Sequence, residues 1–466
     1  MPSPIIRPFH QVHGLGGPCV LNIQDMEAKA IDTRTSALLA EVGAQPDKAL
    51  DRETDATLRE LGLRIEGGEK PRQNDSRKQA AESPVVNMAM FLTQSCNLDC
   101  VYCYGEGGSY GSGGNMDEQT AFRAVDWLLR KSGKKKKIHV GFFGGEPFLN
   151  FPLMRKIVDY ARQRCGEEDK KVAFHATTNG TLLDAEKIEF VRDNEISVMV
   201  SIDGPKEIHD AQRPFANGRG SFDTIVANCK KLLKAKPDTP AHAVLMGDND
   251  PEMIKQALLE IGFADVSVTS ASSSLFDEQA NEEKQDRDTE IIFRELEQEA
   301  GQWLEYIRAR DTESLLELKN KGQLLMGITT LLHNSKRRHP CGAGLGLVGV
   351  SAEGGVYLCH RFVGQEEYKL GTVFEDKLDR QPYQESVDLH PVCSKCFARY
   401  YCAGGCKHDN AGSCGSVFSP AGDMCRLRCQ ELELAASVVG RLDEEDVQFL
   451  NVQDIVPRKP CPLDFG

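Results

Sequence analysis

From about Val85 onward the chain alternates short, largely apolar runs with longer stretches whose apolar residues recur every three or four positions. The first pattern marks strands buried on both faces, the second amphipathic helices. Strands are predicted at 86–92, 138–143, 172–177, 196–202, 242–246 and 266–269, and helices at 118–130, 153–165, 185–192, 222–235 and 251–261. Strands that alternate with helices pair in parallel through right-handed crossovers. The expected fold class is therefore α/β, a partial (βα)6 TIM-like barrel over 85–270, with ligands at the carboxyl ends of its strands.

The flanking segments follow other patterns. Residues 1–67 hold apolar runs at 18–23 and 30–32, then helical patterns at 35–42 and 53–61, a hairpin followed by helices in a small winged-helix-like layout. Residues 68–84 are polar and read as a linker. Residues 271–340 are charged and mostly helical, at 288–308 and 313–332, and read as a bridge. Residues 341–429 are Gly-rich and loop-rich and contain nine of the sixteen cysteines. Such a segment is expected to draw its folding energy from metal ligation rather than from an apolar core. Residues 430–466 read as a C-terminal tail.

Composition narrows the setting. At 466 residues, 40% hydrophobic and 27% charged, the chain is of globular type with several domains. No stretch reaches the roughly 18–20 apolar residues that span a bilayer, and the start, Met-Pro-Ser-Pro-Ile-Ile-Arg-Pro-Phe-His, lacks the apolar centre of a secretory signal. A cytoplasmic location with no membrane partner is expected. Sixteen cysteines in a reducing compartment argue for metal ligation over disulfides. The net charge of −14 argues against nucleic acid, and the one basic run, 134–137, reads as a solvated turn.

The candidate chemistry begins where the first barrel strand ends. Cys96, Cys100 and Cys103, in Cys-Asn-Leu-Asp-Cys-Val-Tyr-Cys, bring three thiols to one loop. A cubic 4Fe–4S cluster is normally held by four cysteines, so three leave one iron open. A zinc site or scattered buried cysteines are the alternatives that spacing alone leaves. The motif resembles the signature of the radical S-adenosylmethionine (radical SAM) enzymes. In that family the open iron chelates the amino and carboxylate groups of SAM and passes an electron to its sulfonium. Methionine leaves, and the resulting 5′-deoxyadenosyl radical takes hydrogen from an unactivated carbon. The same resemblance implies that Gly144, Gly145, Glu146 and Pro147, at the next strand end, bind the SAM amino group, largely through backbone carbonyls. It places Thr178 and Asn179, and Ser201 and Asp203, near the SAM ribose and carboxylate. Arg213 is a candidate partner for a carboxylate, and Tyr102 for adenine.

A second cysteine system follows. Cys341, then Gly354 and Cys359, then Cys393-x2-Cys396-x5-Cys402-x3-Cys406 and Cys425 resemble the SPASM extension of radical SAM enzymes, which carries auxiliary clusters. A tandem zinc ribbon is the alternative. The resemblance implies that Cys393, Cys396, Cys402 and Cys425 ligate one auxiliary cluster, and that Cys341, Cys359 and Cys406 hold another. Three 4Fe–4S clusters and SAM are thus the expected cofactors. The fourth ligand of the Cys341 cluster is Cys414 or Cys429, or an iron is left open for a substrate cysteine. Cys19, Cys165, Cys229 and Cys461 are read as plain thiols.

The N-terminal segment resembles the peptide-recognition element of maturases of ribosomally made peptides, which adds a leader peptide as a strand to its sheet edge. The implied partners are a precursor peptide with a leader and an electron donor such as flavodoxin or ferredoxin. The expected activity is that of a thioether-forming maturase of the sactipeptide or ranthipeptide type. Alternatives are a carbon–carbon or carbon–oxygen cross-linking maturase, a quinohemoprotein-maturing enzyme, an anaerobic sulfatase (formylglycine) maturase and, outside enzymes, a zinc-binding adaptor.

Overall fold

The computed structural model of the chain describes residues 5–45, 49–65, 83–247, 249–270 and 282–457. Most of the expected linker, the start of the expected bridge, the end of the expected tail and Cys461 lie outside the described residues. The chain divides into two compact units, one of Met1–Ser76, Asp277–Cys341 and Glu385–Gly466, the other of Arg77–Phe276 and Gly342–Gln384.

In the first unit the N-terminal segment supplies β1 (Ile5–Ile6), β2 (Phe9–Gly14), β3 (Gly17–Asn22), β4 (Glu27–Ala30) and β5 (Arg64–Ile65). The expected hairpin is a three-stranded antiparallel sheet in the order β2-β3-β4, with β1 and β5 paired separately. Strand β2, Phe-His-Gln-Val-His-Gly, buries fully only Val12 and so carries too weak an alternation to be read from sequence. The helices Thr33–Ala44 and Arg52–Glu60 start where Asp32 and Asp51 accept from the backbone N–H groups of Thr35 and Thr54.

The rest of this unit corrects two expectations. The helix expected over 313–332 is two helices, Thr312–Lys321 and Leu325–Leu332. They part because the Glu299 carboxylate takes the N–H groups of Gln323 at 2.8 Å and Leu324 at 2.9 Å. A Cβ on Gly322 would stand 2.3 Å from Glu299 Oε1, so only glycine passes there. The cysteine-rich segment also does have an apolar core. Val387, Tyr400 and Tyr401 pack with Trp303, Ile328, Leu432 and Ala435 in one buried cluster. Part of the expected tail belongs to that core, as the helices Gly422–Val439 and Glu444–Val452.

The second unit is built on a nine-stranded sheet. Its strands are β6 (Asn87–Thr93), β7 (Lys137–Gly144), β8 (Lys171–Thr178), β9 (Ser197–Ser201), β10 (Ala241–Leu245), β11 (Val266–Ser270), β12 (Leu347–Val350), β13 (Gly355–Tyr357) and β14 (Lys369–Thr372), in the order β11-β10-β9-β8-β7-β6-β12-β13-β14. The six strands expected from the apolar runs are all present and pair in parallel. The sheet then continues beyond expectation: β12 pairs parallel to β6, and β13 and β14 add antiparallel. Strand β6 is buried at six of its seven positions, as a strand covered on both faces must be. Around it Trp127, Leu128, Phe142, Met154 and Ile157 pack with the helices Glu118–Lys131 and Phe151–Glu167. Parallel pairing sets the carboxyl ends of β6 to β10 along one edge, where the sequence places its motifs.

Candidate functional site

The cysteine loop leaves β6 and is held from two sides. On one side, Asp99 N donates to Pro214 O at 2.9 Å and Val101 N to Gln212 O at 3.0 Å, while Ala216 N donates to Asn97 O at 3.3 Å. Leu98 and Phe215 form an antiparallel bridge between them. On the other side lies the Gly-Gly-Glu-Pro turn that ends β7. Gly145 N donates to Thr93 O and Glu146 N to Ser95 O, both at 3.0 Å. This approach admits no side chain: a Cβ on Gly145 would stand 2.0 Å from Ser95 O and 2.8 Å from Cys96 N. Gly108, at φ +91°, is equally tight, its Cβ 2.8 Å from both Cys96 Cβ and Gly145 Cα.

Beneath this turn Glu146 is fully buried. Its Oε1 accepts from Thr178 Oγ1 at 2.8 Å and Phe148 N at 3.1 Å, and its Oε2 from Asn179 N at 2.8 Å. Burial pushes this carboxyl up to about 7 against those three bonds. Glu146 thus ties the end of β7 to the end of β8. Pro147 opens the short turn that follows. Asn179 extends the tie to the loop itself, its Nδ2 donating to Asn97 Oδ1 at 2.9 Å and toward Cys96 Sγ at 3.7 Å. Its Oδ1 accepts from Thr181 Oγ1 at 2.6 Å, fixing the amide's orientation.

A second buried network stands at the end of β9. Asp203 Oδ2 accepts from Tyr102 Oη at 2.5 Å and Gln212 Nε2 at 2.9 Å, and lies 2.9 Å from Arg213 Nε in an ion pair; Oδ1 accepts from Val244 N at 2.9 Å. The Arg213 guanidinium lies over the Tyr102 ring, 5.1 Å from its centroid. Burial would push the Asp203 carboxyl up, but the Arg213 charge and the bonds it receives outweigh burial and hold it below its ordinary range. His209 braces the network from behind. Its Nδ1 accepts from Asp203 N at 3.1 Å, so Nε2 carries the proton toward Ser221 Oγ at 2.9 Å, which in turn donates to Arg213 O at 2.6 Å. Burial, then the Arg213 charge, lowers His209 to about 4. Ser201 closes β9 in register with His242 of β10.

Cys96 feels the charge of Cys100 and Cys103, and Cys100 that of Cys103. Burial raises Cys96 to about 12 and Cys100 to about 11, and Arg213 opposes the rise at Cys100. Metal would replace those protons. Among the described residues no three donors converge as tightly as the ligands of a single ion. Three cysteine thiols on one loop are the donor type that a 4Fe–4S cluster takes.

In the other unit Cys393, Cys396, Cys402 and Cys425 neighbour one another. Cys396 also meets Cys429, Sγ to Sγ at 4.0 Å. The Cys429 contact, opposed by burial, holds Cys396 below the usual thiol range. Cys341 and Cys406 belong to this unit, whereas Cys359, which follows β13, belongs to the unit of the large sheet. Cys359 lies there near Tyr104, as does Cys103. Cys19, Cys165 and Cys229 are buried thiols, Cys165 and Cys229 in the core of the large sheet's unit and Cys19 in the apolar core of the other.

The sequence reading missed Gln212, Asn97, Thr181, His209 and Gly108 as parts of the site. The glycine density of 105–114 was the available signal for Gly108, and the run His209–Arg213 that continues the Asp203 turn was the signal for His209 and Gln212; nothing marked the roles of Asn97 and Thr181.

The family model of the Radical SAM superfamily matches residues 90–261. An uncharacterized protein of Methanocaldococcus jannaschii is 37% identical over 140 residues, 30% of this chain and 46% of that protein. A cysteine-type anaerobic sulfatase-maturating enzyme of Clostridium perfringens is 24% identical over 338 residues, 68% of this chain and 86% of that enzyme. The antilisterial bacteriocin subtilosin biosynthesis protein AlbA of Bacillus subtilis is 26% identical over 355 residues, 73% of this chain and 71% of that protein. The chain spans less than half the length of some curated relatives it matches, 46% and 39% in two cases. The solved structure of histidine-tagged anSMEcpe with bound AdoMet shares the fold at a TM-score of 0.59 and 20% identity, over 79% of this chain and 98% of that one. Among the described residues no helix is long and apolar enough to cross a membrane.

Proposed function

We propose that this chain, whose residues 90–261 match the family model of the Radical SAM superfamily, is a peptide maturase that joins a cysteine sulfur to a carbon of a ribosomally made precursor. The observation that carries the radical SAM part is the three-thiol loop, clamped between the Gly145 turn and residues 212–216 at the strand ends. Cys96, Cys100 and Cys103 would hold a 4Fe–4S cluster, and the strand-end turns would receive SAM. When bound, this pair supplies a radical able to take hydrogen from carbon.

The chain's own residues do the rest. Gly145 and Gly108 keep the loop close to the strand ends, where a side chain would push it away. Glu146 and Asn179 fix the turns beside Cys96. Asp203, neutralised by Arg213, fixes Tyr102 and with it the middle of the loop. Cys393, Cys396, Cys402 and Cys425 would hold an auxiliary cluster, and the motif order assigns Cys341, Cys359 and Cys406 to another. The N-terminal sheet offers an edge for a leader peptide, which supports a peptide substrate.

The sulfatase-maturating relatives favour one second reading, oxidation of a peptide cysteine to formylglycine. Co-expression with a small cysteine-containing peptide encoded nearby separates the two by mass spectrometry. A thioether product loses two hydrogens and keeps its sulfur. Loss of the sulfur would establish the second reading, and an unaltered peptide would sink both. Anaerobic preparation tests the cluster assignment itself: iron is expected, and a colourless zinc protein would overturn it.

A further inference from the structure

The helix Gly422–Val439 carries two cysteines one turn apart, Cys425 and Cys429, on one face. Both neighbour the group formed by Cys393, Cys396 and Cys402, and Cys414 lies near Cys425, so more thiols gather than the four a cluster takes. The close contact within the group is made by Cys429, its Sγ lying 4.0 Å from Cys396 Sγ, in hydrogen-bond range for sulfur. Cys396 belongs to the spaced motif. Bound to iron it is a thiolate and has no proton to give. The bond then runs from the Cys429 thiol to the Cys396 sulfur.

We propose that Cys429 is a positioning residue of this auxiliary cluster: it does not bind iron, but donates a hydrogen bond to the ligand sulfur of Cys396 and so sets the cluster's reduction potential. The proposal rests on the reading of Cys393, Cys396, Cys402 and Cys425 as cluster ligands. A donor on a ligand sulfur draws off negative charge and favours the reduced cluster, which carries one more electron. Ala398 N–H also bonds the Cys396 sulfur, and the Arg399 charge acts on it in the same sense.

The test uses the full chain with Cys96, Cys100 and Cys103 changed to Ala, reconstituted anaerobically, so that only auxiliary clusters contribute. Iron content and an EPR-monitored redox titration are compared for this parent and its C429A, C429S and C425A derivatives. C429A is expected to keep the parent's iron and titrate at a more negative potential. C429S, whose hydroxyl still donates, is expected to return toward the parent. C425A is expected to lose one cluster's iron. Loss of iron in C429A would make Cys429 a ligand and overturn the proposal, as would an unchanged potential. A parent that takes up zinc and no iron would instead overturn the cluster reading, a separate failure.

Discussion

The Tyr102 hydroxyl donates to Asp203 Oδ2 at 2.5 Å, bonding the middle of the cysteine loop to the end of β9, 101 residues further along the chain. Tyr102→Phe removes one bond to a buried carboxylate and is expected to cost about 1.5–3 kcal/mol. Arg213→Met leaves Asp203 buried without its counter-charge and should cost more, about 3–5 kcal/mol. Adding Asp203→Asn to Arg213→Met should recover part of the loss, since the two residues act as one pair. Denaturant midpoints of the metal-free proteins measure all three.

Gly145→Ala forces a Cβ to within 2.0 Å of Ser95 O, in the backbone that leads into Cys96. The loop must move, and three thiols that no longer share one geometry lose their cluster. The anaerobically reconstituted variant should bind one cluster's iron fewer than the wild type and form no deoxyadenosine. Full iron together with normal SAM cleavage would contradict the clamp.

His209 predicts a pH dependence. Its folded value, about 4, lies below the ordinary 6.5 because burial and Arg213 oppose its charge. Between those values the unfolded chain binds a proton that the folded chain does not. Stability contributed by the neutral imidazole is therefore present above pH 6.5 and lost as pH falls toward 4, by roughly 3 kcal/mol in all. Urea midpoints across this range should fall less steeply for His209→Gln than for the wild type.

In the other unit Glu431 is buried and accepts from Tyr401 Oη at 2.7 Å and Arg428 Nη1 at 2.6 Å. Glu431→Ala strands both donors and is expected to cost about 2–4 kcal/mol. Double replacement with Tyr401→Phe should cost less than the sum of the single changes, as thermal melts would show.

The parallel strands were legible because each is a largely apolar run, and the motifs because they fall at the ends of those runs. What could not be read depends on partners distant in sequence. Strand β2 hides its polar residues only where the fold provides neighbours such as Glu433 for His10, 2.7 Å away. Strands β12 to β14 are three or four residues long, too short for a pattern. The break at Gly322 is made by Glu299, on a different helix. Asp203 and Arg213 were both picked out, yet toward a ligand; their bond to each other appears only once β9 and residues 206–213 fold together.

Strand β6 has β7 on one side and β12 on the other, and β12 comes far later in the chain, with Leu347 set against Asn87. While the polypeptide is being synthesised, the strand that leads to Cys96 therefore presents an unpaired edge until Leu347 and its neighbours emerge. Iron delivered before then would meet thiols on an unfinished mount. Assembly of the cluster proposed at these thiols would thereby wait for Leu347, and a polypeptide cut short before it would leave that edge open to pairing with other molecules.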